Sequence, residues 1–355
     1  MLRNLLLAFC LNGILMAGID LRLPTANNHL LTDEPEQFYM YVQRTFEGEV
    51  TTPWEGGGFG IVRNPIRINN QIVLTKFHEG IDIKPVNRDA AGNPLDPVSS
   101  IADGCVVHIS PQAGRSNYGK YVVIEHVWEN SSVYSLYAHL ADITCKPGDT
   151  VKAGDVIGRM GFTGEGIDRT RAHVHLELTF LLSRYFNDYQ KSASKGDTNY
   201  HGIYNGLNLT GIDVAKFFLM HKANPELRFS EFIASLPVYF KVTVPSKGVT
   251  PDFVTRYPWI CHGNPEGAVS WEISFTATGE PLAFTPSDRK VDAPVVTSVR
   301  PSKIPQRYLT HNLLSGQDDH ATLTSHGKLL IALITDDFPI TKDQVADPQL
   351  PTPKG

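Results

Sequence analysis

Apolar and polar residues alternate with a period of two through much of the first half of the chain, most cleanly in Arg171-Ala172-His173-Val174-His175-Leu176-Glu177-Leu178. That period predicts a strand whose Val174, Leu176 and Leu178 face a core while His173, His175 and Glu177 share the opposite face. Similar short runs fall at 80–84, 104–110, 120–126, 133–139, 150–160 and 173–180. They are punctuated by Asp103-Gly104, Pro147-Gly148-Asp149 and Gly154-Asp155, and Glu55 to Gly60 reads as a flexible turn ahead of them. Short strands between turn residues predict a mainly β fold, an antiparallel sheet or sandwich, over residues 54–185.

The pattern changes on either side. Residues 18–53 are mixed and polar, a lead-in with a helix expected over 36–44. Residues 186–236 read as helical: 213–222 carries the apolar stripe Val214, Phe217 and Phe218, and Ser230 can cap a turn running to Leu236. Strand-like runs return at 238–244, 269–277 and 329–335 between Pro-rich loops, giving a C-terminal α+β extension with a β-rich module over 237–346. Residues 347–355 have the composition of a disordered tail. There is no heptad pattern and no repeat of fixed period.

With 355 residues, 41% of them hydrophobic and 19% charged, the chain has ample material for a folded core. A net charge of −5 without any Lys/Arg run argues against nucleic acid or an anionic membrane surface as partner. The basic head Met1-Leu2-Arg3-Asn4, the apolar run Leu5 to Met16 and the small pair Ala17-Gly18 fit a secretory signal over residues 1–17, with cleavage near Ala17. The run is too short to span a bilayer, so no stable membrane insertion is expected after cleavage. Phe9 before Cys10 argues against a lipid-modified cysteine. The expected location is therefore outside the cytoplasm, periplasmic or extracellular and associated with the cell wall.

Cys105, Cys145 and Cys261 would remain in the mature chain. An oxidising compartment permits one disulfide, and Cys105 with Cys145 is the expected pair because both fall in the β domain. Unpaired buried thiols are the other reading. No two cysteines have CxxC spacing, which argues against a thiolate zinc site.

The 13 histidines make chance motifs common, and about one His-x-x-x-Asp is expected from composition alone. His29 and Asp33 have that spacing in a polar stretch without β pattern, and read as solvated surface. His78 and Asp82 differ, because Glu79-Gly80 forms a turn and Ile81-Asp82-Ile83 starts a strand. On a straight strand they would stand about 13 Å apart, too far to share an ion. Gly80 lets the chain bend so that they converge. Zinc takes donors at about 2.0–2.2 Å, and His, Asp and a second His leave a fourth place for water, the pattern of a catalytic site. His173 and His175 lie about 7 Å apart at Cα, so one can bind metal while the other works on a substrate. His139, in Tyr137-Ala138-His139-Leu140, is by itself of a kind that is more often a satisfied structural histidine than a catalyst.

The ordered series Phe59-Gly60, His78-x-Gly80-x-Asp82, Ala102-Asp103-Gly104-x-Val106, Asn117-Tyr118-Gly119, Tyr137-Ala138-His139-Leu140, Gly148-Asp149-x-Val151-x-x-Gly154, Thr163-Gly164 and His173-x-His175-x-Glu177 closely resembles the lysostaphin/LytM-type zinc endopeptidases, over about residues 54–180. The resemblance implies a duplicated hybrid motif type of β domain that binds one zinc ion through His78, Asp82 and His175. It further implies that His139 and His173 are the catalytic pair handling protons and the oxyanion, and that the substrate is the cross-linking or stem peptide of peptidoglycan. Two departures stand out: the loop Glu165 to Arg171 is longer and more charged, and Arg171-Ala172 replaces a Gly or Ala with Pro. Zinc supplies a water of lowered pKa and a Lewis acid for the amide carbonyl, and without an H-E-x-x-H glutamate the two non-ligand histidines carry the proton work. Glu177 is placed to orient a histidine or to face solvent.

Two other readings remain beside this one. An inactive cell-wall-binding or amidase-activating protein of the same fold would lack zinc ligands, and all are present here. A biotinyl or lipoyl carrier hairpin over Lys146 to Gly158 would need a modifiable lysine at its tip, and none is found. No G-x-S-x-G and no Walker-type loop occurs, which excludes a nucleophile-elbow hydrolase and a phosphate cradle.

Overall fold

The computed structural model describes residues 18–51, 54–193 and 198–340. In chain order the strands are β1 Arg44–Phe46, β2 Glu49–Thr51, β3 Gly60–Ile68, β4 Gln71–His78, β5 Ile81–Ile83, β6 Pro97–Ser99, β7 Gly104–Ser110, β8 Tyr121–Trp128 and β9 Ser131–Ala138. They continue with β10 Asp142–Ile143, β11 Thr150–Val151, β12 Val156–Arg159, β13 Val174–Leu181, β14 Leu209–Ile212, β15 Phe240–Pro245, β16 Ser270–Phe275, β17 Pro281–Ser287 and β18 Val295–Val299. A 7-stranded antiparallel sheet runs β11-β7-β8-β9-β13-β14, with β5 added on β13. A 3-stranded sheet β10-β12-β6, the hairpins β1-β2 and β3-β4, a 4-stranded C-terminal sheet β17-β16-β15-β18 and the short pair Leu314–Ser315 with Thr322–Leu323 complete the mainly β architecture of the described residues.

β13 is the spine. Its N-terminal half lies between β5 and β9, and its C-terminal half lies between β9 and β14. Every residue of β13 is buried, including the polar set His175, Glu177 and Thr179. The period of two therefore separates an apolar core from a buried polar site, not from solvent. One contiguous apolar core extends from Leu30 to Ile334 and joins both sheets and the helices between them. Phe180 of β13 packs edge-on against Phe229, Phe253 and Tyr257. Arg256 donates 2.8 Å hydrogen bonds to the carbonyls of Leu181 and Leu182, and Tyr257 donates to that of Ser132. These contacts fasten the helical segments at 229–234 and 252–257 to the end of β13 and satisfy carbonyls that burial would otherwise leave unpaired.

Several expectations from the sequence change. The helix expected over 36–44 is a single turn, Pro35–Phe38, after which Tyr39 bridges Ile83 and Met40 N–H donates to the Asp82 carbonyl. Backbone pairing with β5 outweighs the weak helical pattern there. The run 329–335 lies in a helix, Ser325–Ile334, capped by Thr324 accepting from Gly327 N–H. An unbroken apolar run carries no period to distinguish a buried helix from a buried strand. The run 150–160 splits into β11 and β12, which belong to different sheets. The stretch read as helical contains β14 as well as helices Phe186–Ala193, Val214–Ala223 and Phe229–Ala234. In the last of these Ser230 lies within the helix and bonds Glu129, while Arg228 stands at the cap. Asp213 caps its helix by accepting from Lys216 N–H. The hairpin β3-β4 had no clean alternation to reveal it.

Cys105, Cys145 and Cys261 are free thiols, so the expected Cys105–Cys145 bridge is absent. Cys105 sits on β7 of the large sheet, and Cys145 follows β10 of the 3-stranded sheet with its Sγ directed to the Ile157 carbonyl. Membership of one domain does not bring two thiols to bonding distance. The signal segment 1–17 and the tail 347–355 lie outside the described residues. Among the described residues no helix is long and apolar enough to cross a membrane.

One buried carboxyl gives the fold a pH dependence. Glu280, 2% exposed beside the turn joining β16 and β17, is pushed up to about 7 by burial, against a hydrogen bond from Thr278. Between the unfolded value of 4.5 and about 7 the folded protein holds a proton that the unfolded chain has released, so stability falls as pH rises through that window. The contribution is roughly 3 kcal/mol. Glu280→Gln should flatten the fall, as measured by denaturant unfolding at about pH 5 and pH 8. Equal slopes for the two proteins would remove Glu280 as its source.

Candidate metal centre

Register brings the site together. On β13 His175 lies directly opposite Asp82 of β5 on one side and Ala138 of β9 on the other, while the hairpin β3-β4 ends with His78 paired to Gly60. The three donors converge: His78 Nε2 is 3.0 Å from His175 Nδ1 and 3.1 Å from Asp82 Oδ1, and His175 Nδ1 is 2.9 Å from Asp82 Oδ1. A tetrahedral ion with bonds of about 2.0–2.1 Å needs donors roughly 3.4 Å apart, so a slight expansion of this triangle accommodates one. Among the described residues these three form the only such group of His, Cys, Asp or Glu.

Each donor is held from behind. His78 Nδ1 donates to the Gly58 carbonyl at 2.7 Å, which leaves Nε2 as a lone pair facing the centre. His175 Nε2 lies 2.8 Å from Glu177 Oε1, which leaves its Nδ1 inward. Glu177 is itself 1% exposed and accepts a 2.6 Å hydrogen bond from Tyr118 Oη. Of its two sequence readings, the histidine-orienting one is what the structure shows. Asp82 turns Oδ1 to the centre and accepts at Oδ2 from Arg63 Nη2 at 2.5 Å, while Arg63 Nε donates to the Gly56 carbonyl.

His139 and His173 stand beside the triangle. His139 is the residue after β9, at φ 63°, a left-handed conformation that is strained for a side-chain-bearing residue. Its N–H bonds the Tyr118 carbonyl and its Nδ1 donates to the Thr163 carbonyl at 2.8 Å. His173 Nδ1 donates to the Arg171 carbonyl at 2.6 Å, and its Nε2 lies 3.3 Å from Asp82 Oδ1. The two rings are 4.8 Å apart between centroids. Because a carbonyl only accepts, both imidazoles present Nε2 to the space around the donors. All five predicted residues are thus in one buried cluster, between 3% and 7% exposed. His29 and Asp33, by contrast, lie apart from it, with His29 bonded to Glu34 near the surface.

Electrostatically the cluster suits a cation. Burial would raise Asp82, but His78 and His173 hold its carboxyl well below the usual range. Burial would lower His175, but hydrogen bonds to Asp82 and Glu177 raise it to about 10. Burial lowers His78 and, together with His173 and His175, pushes His139 well below an ordinary histidine. With Arg63 paired to the outer oxygen of Asp82, the inner oxygen and the two ligand imidazoles form a donor set that a divalent ion fits.

Gly80 has a different reason from the one its sequence suggested. A Cβ there would lie 2.3 Å from the Leu176 carbonyl oxygen and 2.9 Å from Glu177 Cγ. The residue permits β5 to pack against β13, so it sets the register and not merely a bend. Sequence reasoning missed Arg63, for which no local signal exists. It also left Tyr118 without a role, although Asn117-Tyr118-Gly119 had drawn attention to it.

The model for Peptidase family M23 matches residues 76–187. The Lipoprotein NlpD of Yersinia enterocolitica is 32% identical over 92 residues, covering 26% of this chain and 86% of that protein. Glycyl-glycine endopeptidase ALE-1 of Staphylococcus capitis is 28% identical over 207 residues, 56% of this chain and 49% of that one. Lysostaphin of Staphylococcus staphylolyticus is 33% identical over 139 residues, 39% of this chain and 24% of that one. The chain thus spans about half or less of its two staphylococcal relatives.

Gly80→Ala should destabilise the protein by several kcal/mol, since backbone and not a pliable side chain must give way. Chemical denaturation checks this. An unchanged midpoint would mean that β5 does not press on β13 as described.

Proposed function

The chain belongs to peptidase family M23, and on that premise we propose that it is a zinc-dependent endopeptidase that cleaves peptide bonds in the cross-links or stem peptides of peptidoglycan outside the cytoplasm. The observation that carries this reading is the triangle of His78 Nε2, Asp82 Oδ1 and His175 Nδ1, with donors 2.9–3.1 Å apart and two further imidazoles beside it. Residues 54–185 form the catalytic unit, and export through the signal 1–17 places it with its substrate. The name of one staphylococcal relative, the glycyl-glycine endopeptidase ALE-1, supports a peptide substrate.

Zinc held by those three residues supplies Lewis acidity at the scissile carbonyl and lowers the pKa of a water toward about 7. The remaining work belongs to the protein. His139 is kept neutral by burial, with its Nδ1 proton committed to Thr163, so its Nε2 is free to take a proton from the attacking water. His173, its Nδ1–H held by the Arg171 carbonyl, turns Nε2 to the same space 3.3 Å from Asp82 Oδ1, within reach of the developing oxyanion and the departing amine. Glu177, fixed by Tyr118, keeps His175 in the tautomer that binds metal. Burial of the whole set strengthens each of these interactions.

The test is release of muropeptides from purified cell wall by the mature protein, with and without chelator. His78→Ala should lose both zinc and activity. His139→Ala should keep zinc, read by metal analysis, while activity falls by about 10² to 10⁴. An active His78→Ala protein would end the proposal. Glu177→Ala should weaken zinc binding by about 10- to 100-fold in a chelator competition, and unchanged affinity would show that it does not support His175.

A further inference from the structure

A cleft of about 360 Å³ opens beside Asp82 and His173. One wall is the segment Met40, Tyr41, Val42 and Phe46, upstream of the stretch 76–187 that matches the family. The facing wall is the hairpin β3-β4, through Val62, Pro65, Ile72 and Leu74. The upstream segment is fixed in place: Met40 N–H donates to the Asp82 carbonyl at 2.8 Å, and Glu47 at the turn of β1-β2 accepts from Arg67 Nε of β3 at 2.7 Å.

Two features of the cleft point to a ligand. Val42 and Ile72 line it while remaining 38% and 51% exposed, so each wall presents apolar surface to water. The charged residues at its edge, Glu55, Arg63 and Arg171, include both signs, and Arg63 is already paired with Asp82, so the cleft does not select for net charge. Its apolar walls also reach the metal-site residues themselves. A peptide lying with its scissile amide at the donor triangle would place the side chain of a flanking residue between these walls.

We infer that this cleft is a substrate subsite for a long aliphatic side chain next to the scissile bond, with residues 40–46 as its outer wall. The inference rests on the hydrolase reading and narrows it. Polyglycine leaves the cleft unfilled and its walls wet, whereas an aliphatic side chain removes both walls from water. The chain should therefore favour a substrate other than the glycine-only one named for its relative ALE-1.

The test uses paired peptides that differ only in glycine or norleucine at either flank of the cleaved bond, with the full mature chain and zinc. The expected result is a kcat/KM at least tenfold higher for norleucine at one flank. Val42→Asp and Ile72→Asp, both at exposed positions, should bring that ratio to within about twofold. Equal rates on both peptides by the wild type would overturn the subsite and leave the hydrolase standing. A norleucine preference untouched by both substitutions would place the specificity elsewhere and overturn it as well. Hydrolysis of neither peptide, nor of cell wall, would overturn the hydrolase and the subsite together.

Discussion

The pairing of β13 with β5 and β9 is the constraint on which the site depends. An antiparallel register places His175 directly across from Asp82, and a slip of one residue would turn His175 into the core and bring Leu176 to the donor face. The register is held by burial on both faces of β13 and by the close approach that Gly80 allows. His78 and Asp82 share an ion site because one ends a hairpin and the other starts the next strand, not because four residues along a strand could reach one point.

A second layer of determination lies in the groups behind the donors. Four histidines each have one ring nitrogen engaged by an acceptor: the carbonyls of Gly58, Thr163 and Arg171 and the carboxylate of Glu177. Carbonyl and carboxylate acceptors fix the tautomer, and the other nitrogen is left to face the centre. Two of the acceptors lie two residues from their histidine and two lie 20 and 24 residues away, so local sequence and fold together fix protonation patterns as well as positions. Arg63 extends this logic to Asp82, whose outer oxygen it neutralises while the inner one faces the histidines.

The C-terminal half does not sit apart as an appendage. Its residues Arg256 and Tyr257 satisfy carbonyls of β13 and β9, and the ring of His311 lies 4.4 Å from that of Phe77, the neighbour of His78. The polar face of β13 is buried under residues of other elements, His78 and Asp82 against His175 and Tyr118 against Glu177, although its alternation resembles that of a half-exposed strand. The N-terminal segment contributes similarly from the other side, as a wall of the cleft beside Asp82.

The sequence alone determined the β character of the half that holds the site and most strand positions within it, because period-two alternation is a local signal, while the five residues of the cluster came from the ordered motifs that carry the family resemblance. It did not determine the helix Ser325–Ile334, whose apolar run has no period, nor the missing Cys105–Cys145 bridge, which depends on which sheet each thiol joins. Arg63 and the cleft wall from Met40 to Phe46 were likewise invisible, since neither carries a motif and both gain meaning only from what packs beside them. Tertiary structure decided these points for one physical reason: register, shared burial and the pairing of a donor with a distant acceptor join residues far apart in the chain, and no window of local sequence contains both partners.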